Sequence, residues 1–121
     1  MFSLSSSEKY FIYTSVCDMR QGINGLSGIV NMIQKRLPLG NEVYIFMNKQ
    51  KNIMKLLHYE FGGYVIYYKR LEQGNFDYKF ISPSFSPIKW LDLILKVEGI
   101  IVEKSKQKRR FLYSNFVNNK Q

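Results

Sequence analysis

Charged residues in two short stretches are the best candidates for chemistry in this 121-residue sequence. The first stretch holds Asp18 and Arg20, and the second holds Lys69, Arg70 and Glu72. Two adjacent cations at the end of an apolar run suit an anionic partner, because arginine binds phosphate or carboxylate through two parallel hydrogen bonds. Arg20 has two interpretations: an ion pair with Asp18 or a carboxylate of the sheet, or an anion contact shared with backbone N–H groups at a helix start.

A third group of cations lies in the run KSKQKRR near the carboxyl end. Aromatic residues follow it directly, and mixtures of cations and aromatics suit nucleic acid through phosphate neutralisation and base stacking. A solvated, solubilising tail is the alternative interpretation. The candidate binding residues of this run are Lys104, Lys106, Lys108, Arg109 and Arg110.

The net charge of +9 also indicates an anionic partner. Such a charge favours polyanions, namely DNA, RNA, an acidic protein or an anionic membrane surface. A basic protein with a solvated cationic face has the same composition. Charge therefore narrows the class of partner and leaves the choice of partner open.

The residues offer little for catalysis or for metal binding. One cysteine and one histidine cannot assemble a structural zinc site. His58 lies in an apolar strand pattern and is expected to be a packed imidazole, and Cys17 has no histidine nearby in sequence. The sequence therefore predicts no catalytic residue, no metal and no cofactor. A nuclease that uses Asp18 and Glu72 is the alternative that this pattern leaves open.

The single cysteine excludes an internal disulfide bond and fits a reducing compartment. No apolar run approaches the roughly 18 residues that a membrane span needs. The first residues lack the basic region and apolar core of a signal peptide. We therefore expect a cytoplasmic protein with no membrane partner.

These candidate residues need elements that position them, and the first elements are a strand and a helix. Residues 9–14, KYFIYT, have the aromatic and β-branched composition of a strand. Apolar residues spaced by three and four predict a helix over residues 22–37, with Asp18 and Gln21 as a capping box. Three glycines in that helix, Gly22, Gly25 and Gly28, suggest close approach to the sheet or, alternatively, to a partner.

Three further apolar runs at residues 43–47, 53–59 and 64–68 are separated by short polar turns. Short loops between strands predict an antiparallel meander. Residues 82–87 are expected to be a linker, and residues 88–97 a second helix.

The predicted fold class is α+β: strand, helix, an antiparallel meander of three or four strands, helix, then a basic tail. We expect one domain over residues 1–103 and a basic tail over residues 104–121, and the sequence does not determine whether this tail is ordered. The position of the first strand in the sheet is left open.

Three stretches together resemble a known family: TSVCDMRQGINGL from Thr14, KLL from Lys55, and YYKRLEQGNF from Tyr67. They resemble the small accessory protein, often called TnpB, that is encoded by the second open reading frame of insertion-sequence-66 mobile elements. The similarity covers about residues 10–100, and Glu98-Gly99-Ile100 matches its end. Members of that family often carry paired tryptophans and an aspartate where this chain has His58-Tyr59-Glu60.

The resemblance implies a role in DNA transposition beside a larger transposase that carries the catalytic residues. It implies functional importance for the polar motif positions Asp18, Arg20, Lys69, Arg70 and Glu72. The leading hypothesis is a non-catalytic accessory factor that binds DNA through phosphate contacts. The alternative is an adaptor that docks the transposase without binding DNA, and an RNA-binding regulator differs from the first hypothesis only in its ligand. The oligomeric state is not predicted.

Overall fold

The structure, a computed structural model, describes residues 4–97 of the chain, apart from the side chains of the last three. The chain divides into two compact units, residues 1–90 and 91–121. The first unit contains five strands and one helix, and the described part of the second is the continuation of α2. The elements are β1 (Lys9–Tyr13), α1 (Ile23–Gln34), β2 (Glu42–Met47), β3 (Ile53–Glu60), β4 (Gly63–Arg70), β5 (Phe85–Ile88) and α2 (Trp90–Val97).

One mixed sheet with the strand order β4-β3-β2-β1-β5 organises the first unit. β1 and β2 pair in parallel, and all other neighbours pair antiparallel. The α+β class and the meander of β2, β3 and β4 are confirmed. The meander has three strands, and the sheet also contains β1, which lies between β2 and β5, and β5, which was not predicted.

The parallel pairing of β1 with β2 requires a crossover connection, and α1 supplies it. Leu26 and Val30 of α1 are fully buried and pack in one cluster with Tyr44, Phe46 and Leu57 of the sheet. We call this covered surface the helix side of the sheet. Burial of these large side chains is the main term that holds α1 on the strands.

The opposite face of the central strands is buried as well. Val43, Ile45 and Met47 of β2 have no exposed surface, and neither has Met54 of β3. A strand that is buried on both faces has an unbroken run of apolar residues in its sequence, and β2 shows this pattern.

α1 is shorter at both ends than the predicted helix over residues 22–37. Its N-cap is Gly22, which makes no side-chain cap, and Asp18 therefore does not form the predicted capping box. Lys35 takes a left-handed conformation with φ 64° and ends the helix, so Leu37 lies beyond it and is exposed. A residue with positive φ cannot continue a right-handed helix, which explains the early end.

The expectation that the helix glycines approach the sheet closely is wrong for two of the three. A Cβ atom added at Gly22 or Gly28 would meet no atom within 4 Å. A Cβ atom at Gly25 would lie 1.7 Å from Oε1 of Gln21, so the closest atoms to this helix glycine belong to a side chain of the preceding loop rather than to the sheet. The packing of the described residues therefore gives no reason for glycine at position 28.

The region predicted as a linker, residues 82–87, contributes most of a strand. Phe85 of β5 packs edge-on against Tyr44 and Phe46, with ring centroids 4.9 and 5.8 Å apart. β5 also covers the open edge of β1, pairing Pro87 with Phe11. Apolar burial and strand pairing thus outweigh the local turn signals of serine and proline, and α2 begins later than predicted, at Trp90.

The connection from β4 to β5 is held by the β2–β3 turn. Leu71 donates its backbone N–H to the carbonyl oxygen of Asn52 at 2.8 Å, and Phe76 donates to that of Lys51 at 2.6 Å. The Lys51 ammonium binds the carbonyl oxygen of Tyr78. These contacts fix a long irregular segment that has no strand or helix of its own.

Candidate functional site

Asp18 and Arg20 form a closed ion pair in the loop between β1 and α1. Nε of Arg20 lies 3.1 Å from both carboxylate oxygens, and its Nη2 lies 2.6 Å from Oδ2. The backbone N–H of Arg20 also donates to Oδ1 at 2.9 Å, which folds the loop tightly around the carboxylate. Of the two interpretations of Arg20, the geometry of the chain therefore supports the ion pair with Asp18.

The pair is open to solvent, since 91% of the Arg20 side chain and 45% of the Asp18 side chain are accessible. Hydrogen bonds from the Arg20 side chain and backbone lower the pKa of the Asp18 carboxyl to about 2, and the nearby Lys55 ammonium adds to this effect. Asp18 is consequently ionised at every pH near neutrality. An exposed guanidinium with one carboxylate neighbour still has room for a second anion, because its five donors are only partly used.

Lys55 of β3 ties this loop to the sheet. Its ammonium donates to the carbonyl oxygens of Met19 at 2.8 Å and Gln21 at 2.9 Å. The same ammonium lies 6.0 Å from the ring centroid of Tyr68, the register partner of Lys55 on β4. The Cys17 N–H donates to the carbonyl oxygen of Met47, which adds a second anchor. The loop is therefore fixed against the helix side of the sheet.

Neighbouring residues of a strand point to opposite faces, and this separates Lys69 from Arg70. Arg70 lies two residues after Tyr68, so it shares the face of Lys55 and of the Asp18–Arg20 loop. Lys69 pairs in register with Met54 and lies on the other face. Arg70 is exposed and has no ion pair or side-chain hydrogen bond with the residues that the structure describes.

The structure thus brings Arg20, Lys55, Tyr68 and Arg70 to the helix side at one end of the sheet. We call these four residues the basic surface. Tyr68 is 54% exposed, so the surface combines cations with an accessible aromatic ring. Glu72 is exposed in the turn that follows β4. The cations Lys104, Lys106, Lys108, Arg109 and Arg110 lie outside the described residues.

A second charge cluster is structural. The carboxylate of Glu42 is almost fully buried and accepts hydrogen bonds from Arg36 at 2.6 and 2.8 Å, from the Tyr44 hydroxyl at 2.7 Å and from the Leu39 N–H at 3.1 Å. Burial alone would raise the pKa of Glu42, but the hydrogen bonds outweigh it and lower the pKa to about 2. This cluster joins the end of α1 to the start of β2.

His58 is packed inside the fold, as predicted, and Cys17 is buried as well. Nδ1 of His58 lies 2.8 Å from Oε1 of Glu60, and its Nε2 lies 3.0 Å from the carbonyl oxygen of Gly40. Burial raises the pKa of the Cys17 thiol to about 11, so this thiol stays protonated and unreactive at neutral pH. Within residues 4–97 no group of three or more His, Cys, Asp or Glu side chains could hold a metal ion.

Exposed apolar side chains gather at the opposite end of the sheet, where β2 begins and β3 ends. Phe61 is 97% exposed and occupies a left-handed conformation with φ 52° in the β3–β4 turn. Leu37, Leu39 and Tyr59 are also exposed, and a Cβ atom at Gly40 would lie 3.8 Å from the carbonyl oxygen of Tyr59. We call Leu37, Leu39, Tyr59 and Phe61 the apolar end. In the described part of the chain, neither helix is long and apolar enough to cross a bilayer.

Sequence reasoning missed the roles of Lys55 and of the Arg36–Glu42 pair. The signal for Lys55 is a single cation inside an otherwise apolar strand, where a buried partner is expected. Glu42 stands directly before an apolar run, and Arg36 lies six residues earlier, a separation that spans a turn and carries no helical periodicity. Their contact becomes apparent only when the turn after α1 is known.

Comparison with known protein families gave one match. The family model described as IS66 Orf2 like protein matches residues 8–107, which is most of the chain. No curated protein and no solved structure matched the chain. The matched range includes every strand, both helices and the basic surface.

Proposed function

Because the chain belongs to the IS66 Orf2 like protein family, we propose that it is a non-catalytic accessory factor in transposition that binds DNA through phosphate contacts. Family membership points to the transposition process. The support for direct contact with DNA has to come from the residues of this chain.

One observation carries the DNA-binding proposal: Arg20 and Arg70 are exposed on the same side and at the same end of the sheet. Arg20 is held in place by Asp18 and by the Lys55-anchored loop, so little side-chain freedom remains to be lost on binding. Arg70 has no partner among residues 4–97, which leaves its guanidinium available for a phosphate. Tyr68 shares the face of Arg70, lies beside Lys55, and offers a ring for a sugar or an unpaired base.

Two groups of residues complete this proposal. The cations of residues 104–110 would extend phosphate contact along the DNA and add to its salt dependence. Asp18 positions Arg20, which is the role we assign to this acid in place of a metal ligand. Glu72 makes no ion pair with Arg70 among the described residues and has no assigned role here. The larger transposase of the element is the proposed protein partner and the source of the catalytic residues.

An electrophoretic shift assay with the full chain and a duplex of the element's terminal sequence tests this proposal. We expect binding whose affinity falls linearly with salt on a log–log plot. Arg20→Ala and Arg70→Ala should each weaken binding and reduce the slope by about 0.9, the value for one lost phosphate contact. Lys9→Ala, at the far end of β1, is the matched control and should change neither quantity beyond the small effect of net charge.

Absence of any shift at low salt would refute the DNA-binding function. Equal effects of Lys9→Ala, Arg20→Ala and Arg70→Ala would show that net charge, rather than the basic surface, determines affinity. Competition of the bound duplex by an RNA hairpin of equal length would favour the RNA-binding alternative.

The apolar end favours a second candidate function, an adaptor that docks the transposase. Phe61 is a large aromatic residue that packs against almost nothing in the part of the chain that the structure describes, and interface anchors are enriched in aromatic side chains. Its neighbours Leu37 and Leu39 add apolar area at the same end of the sheet. Exposed apolar clusters of this kind mark protein contact sites more often than nucleic-acid sites.

Co-purification of the chain with the transposase of the same element tests the adaptor function. Phe61→Asn should reduce recovery of the transposase, and Arg70→Ala should leave it unchanged if the apolar end is the contact. The reverse result would assign docking to the basic surface. Failure of the wild-type chain to co-purify would reject the adaptor function.

A further inference from the structure

The solvent-facing side of α1 has an unusual composition. The helix, INGLSGIVNMIQ, contains no charged residue. Among its exposed positions, 24, 28 and 31 are spaced by four and three and form one stripe along the helix, and the exposed C-cap residue at 35 follows four residues later. We call Asn24, Gly28, Asn31 and Lys35 together the outer face of α1.

Glycine is costly inside a helix, by about 1 kcal/mol relative to alanine. At Gly28 no tight internal contact requires a glycine and so offsets this cost, because a Cβ atom there would meet nothing within 4 Å. A glycine that internal packing does not need allows another molecule to approach the helix backbone closely. This is the alternative that the sequence left open for the helix glycines.

The amides beside this glycine have no partner in the described chain. Neither Asn24 nor Asn31 makes a side-chain hydrogen bond with residues 4–97, and both are exposed. They lie seven residues apart, two helical turns, on the same stripe. Each of these amides can donate one hydrogen bond and accept another. Asparagine recognises adenine in the major groove through such a pair of hydrogen bonds, to N7 and from N6.

Cations flank α1 in sequence on both sides. Arg20 stands three residues before α1 with 91% of its side chain accessible, and Lys35 is the exposed C-cap residue. The 12-residue helix spans about 18 Å between these ends. That length suits a helix that crosses a major groove about 12 Å wide and reaches phosphates on both sides. Exposed Met32 adds an apolar group that could contact a thymine methyl.

On these observations we propose that the outer face of α1 enters the major groove of duplex DNA, with Asn24 and Asn31 toward base edges and Arg20 and Lys35 toward phosphates on either side. The inference rests on the proposed DNA-binding function and adds sequence readout to it. The charge pattern selects DNA as the occupant, because cations on both sides of α1 match two phosphate strands, and the acids near its two ends, Asp18 and Glu42, are already paired with Arg20 and Arg36.

The experiment is a selection from a duplex pool with 20 randomised base pairs, using the full chain, followed by sequencing of the bound fraction. The wild-type chain should enrich particular base pairs, and replacing adenines of the enriched site by 7-deazaadenine should weaken binding because N7 of adenine is an acceptor that faces the major groove. The double variant Asn24→Ala, Asn31→Ala should lose about fivefold to hundredfold discrimination per lost base contact. Its affinity for unselected duplex and its salt slope should remain those of the wild type.

Two further variants separate readout from folding. Gly28→Leu should fold, since the added side chain starts in open space, and should lose the enriched site by blocking close approach. Asn41→Ala changes an exposed amide outside α1 and should leave the enrichment intact.

The possible outcomes are distinct. Wild-type binding with no base enrichment, or enrichment that survives the double variant, would overturn the α1 inference and leave the phosphate-binding function standing. No binding of the pool at all would overturn both. Loss of transposase co-purification in the double variant, with DNA binding unchanged, would assign the outer face of α1 to a protein partner instead.

Discussion

The guanidinium of Arg20 holds the carboxylate of Asp18 through three hydrogen bonds in an exposed loop. The two residues are separated by Met19 alone, whose carbonyl oxygen is bound by Lys55. A surface ion pair of this kind adds little stability by itself. Its effect is to orient Arg20 while neutralising part of its charge.

The first prediction follows from that neutralisation. Asp18→Asn should raise the affinity for duplex DNA several-fold and steepen the log–log salt slope, because Arg20 then meets phosphate without a competing carboxylate. The pKa of Asp18, about 2, means that wild-type affinity should not vary through this group between pH 5 and pH 8. Glu8→Gln makes the same change in net charge at the other end of β1. An equal gain in both variants would show a general charge effect.

The second prediction concerns Glu42 and stability against pH. Its carboxyl has a pKa of about 2 in the folded chain, below the ordinary 4.5. A lowered folded pKa contributes stability above the unfolded pKa and loses it as pH falls. The free energy of unfolding should therefore drop by about 3 kcal/mol between pH 5 and pH 2 through this group.

Denaturant titrations of Glu42→Gln check this directly. The variant should be less stable at pH 7 by about 2–4 kcal/mol, because Arg36 loses its partner, and its pH dependence below 5 should be much weaker. Glu72→Gln, an exposed acid, serves as the control and should behave as the wild type. A Glu42→Gln chain that retained the full pH dependence would contradict the assignment.

The third prediction tests the anchor of the Asp18–Arg20 loop. Lys55→Met keeps the length of the side chain and removes the ammonium that binds the Met19 and Gln21 carbonyl oxygens. We expect a loss of about 1–2 kcal/mol in stability and faster hydrogen exchange of the Cys17 amide, which is bound to Met47. Lys49→Met removes an exposed cation in the β2–β3 turn and should affect neither measurement. Unchanged exchange at Cys17 in the Lys55 variant would show that the loop holds its shape without the ammonium.

The fourth prediction concerns Phe61. A bulky residue in the left-handed region costs about 1–2 kcal/mol, whereas Asn is tolerated there and Asn-Gly is the favoured pair of a two-residue hairpin turn. Phe61→Asn should raise the free energy of unfolding by about 1 kcal/mol, because a ring that is 97% exposed has almost no packing to lose. Phe61→Ala retains a strained Cβ and should show little gain. Destabilisation by Phe61→Asn would mean that the ring contributes contacts to the fold.

The local sequence pattern predicted the strands and helices whose periodicity is strong. It failed where contacts with residues distant in sequence determine the structure. The meander was predictable because β2, β3 and β4 are apolar runs joined by short polar turns. β5 was not, since residues 82–87, with three serines and two prolines, contribute to a strand only when Phe85 fills the aromatic cluster beside Tyr44. The parallel place of β1 depends on α1 crossing back over the sheet, and the strand residues themselves carry no sign of it.

The candidate site divides in the same way. Arg20 and Arg70 were found from charge and position, and the alternation of a strand then placed Lys69 on the other face. The role of Lys55 could not be predicted, because its ammonium binds two backbone carbonyl oxygens, and the pattern of side chains in the sequence does not indicate such contacts. The outer face of α1 could be read only after the buried residues Leu26 and Val30 had defined the opposite side.

The two outer strands of the sheet differ in a way that bears on self-association. β5 has four residues and carries Pro87, which lacks a backbone donor, whereas β4 runs for eight residues without a proline. Strand addition is therefore favoured at the β4 edge alone. A second copy pairing there would meet an identical edge, and the two-fold axis would close the contact after two molecules. The proline thus works against open-ended fibres when the protein is abundant, while still permitting a dimer.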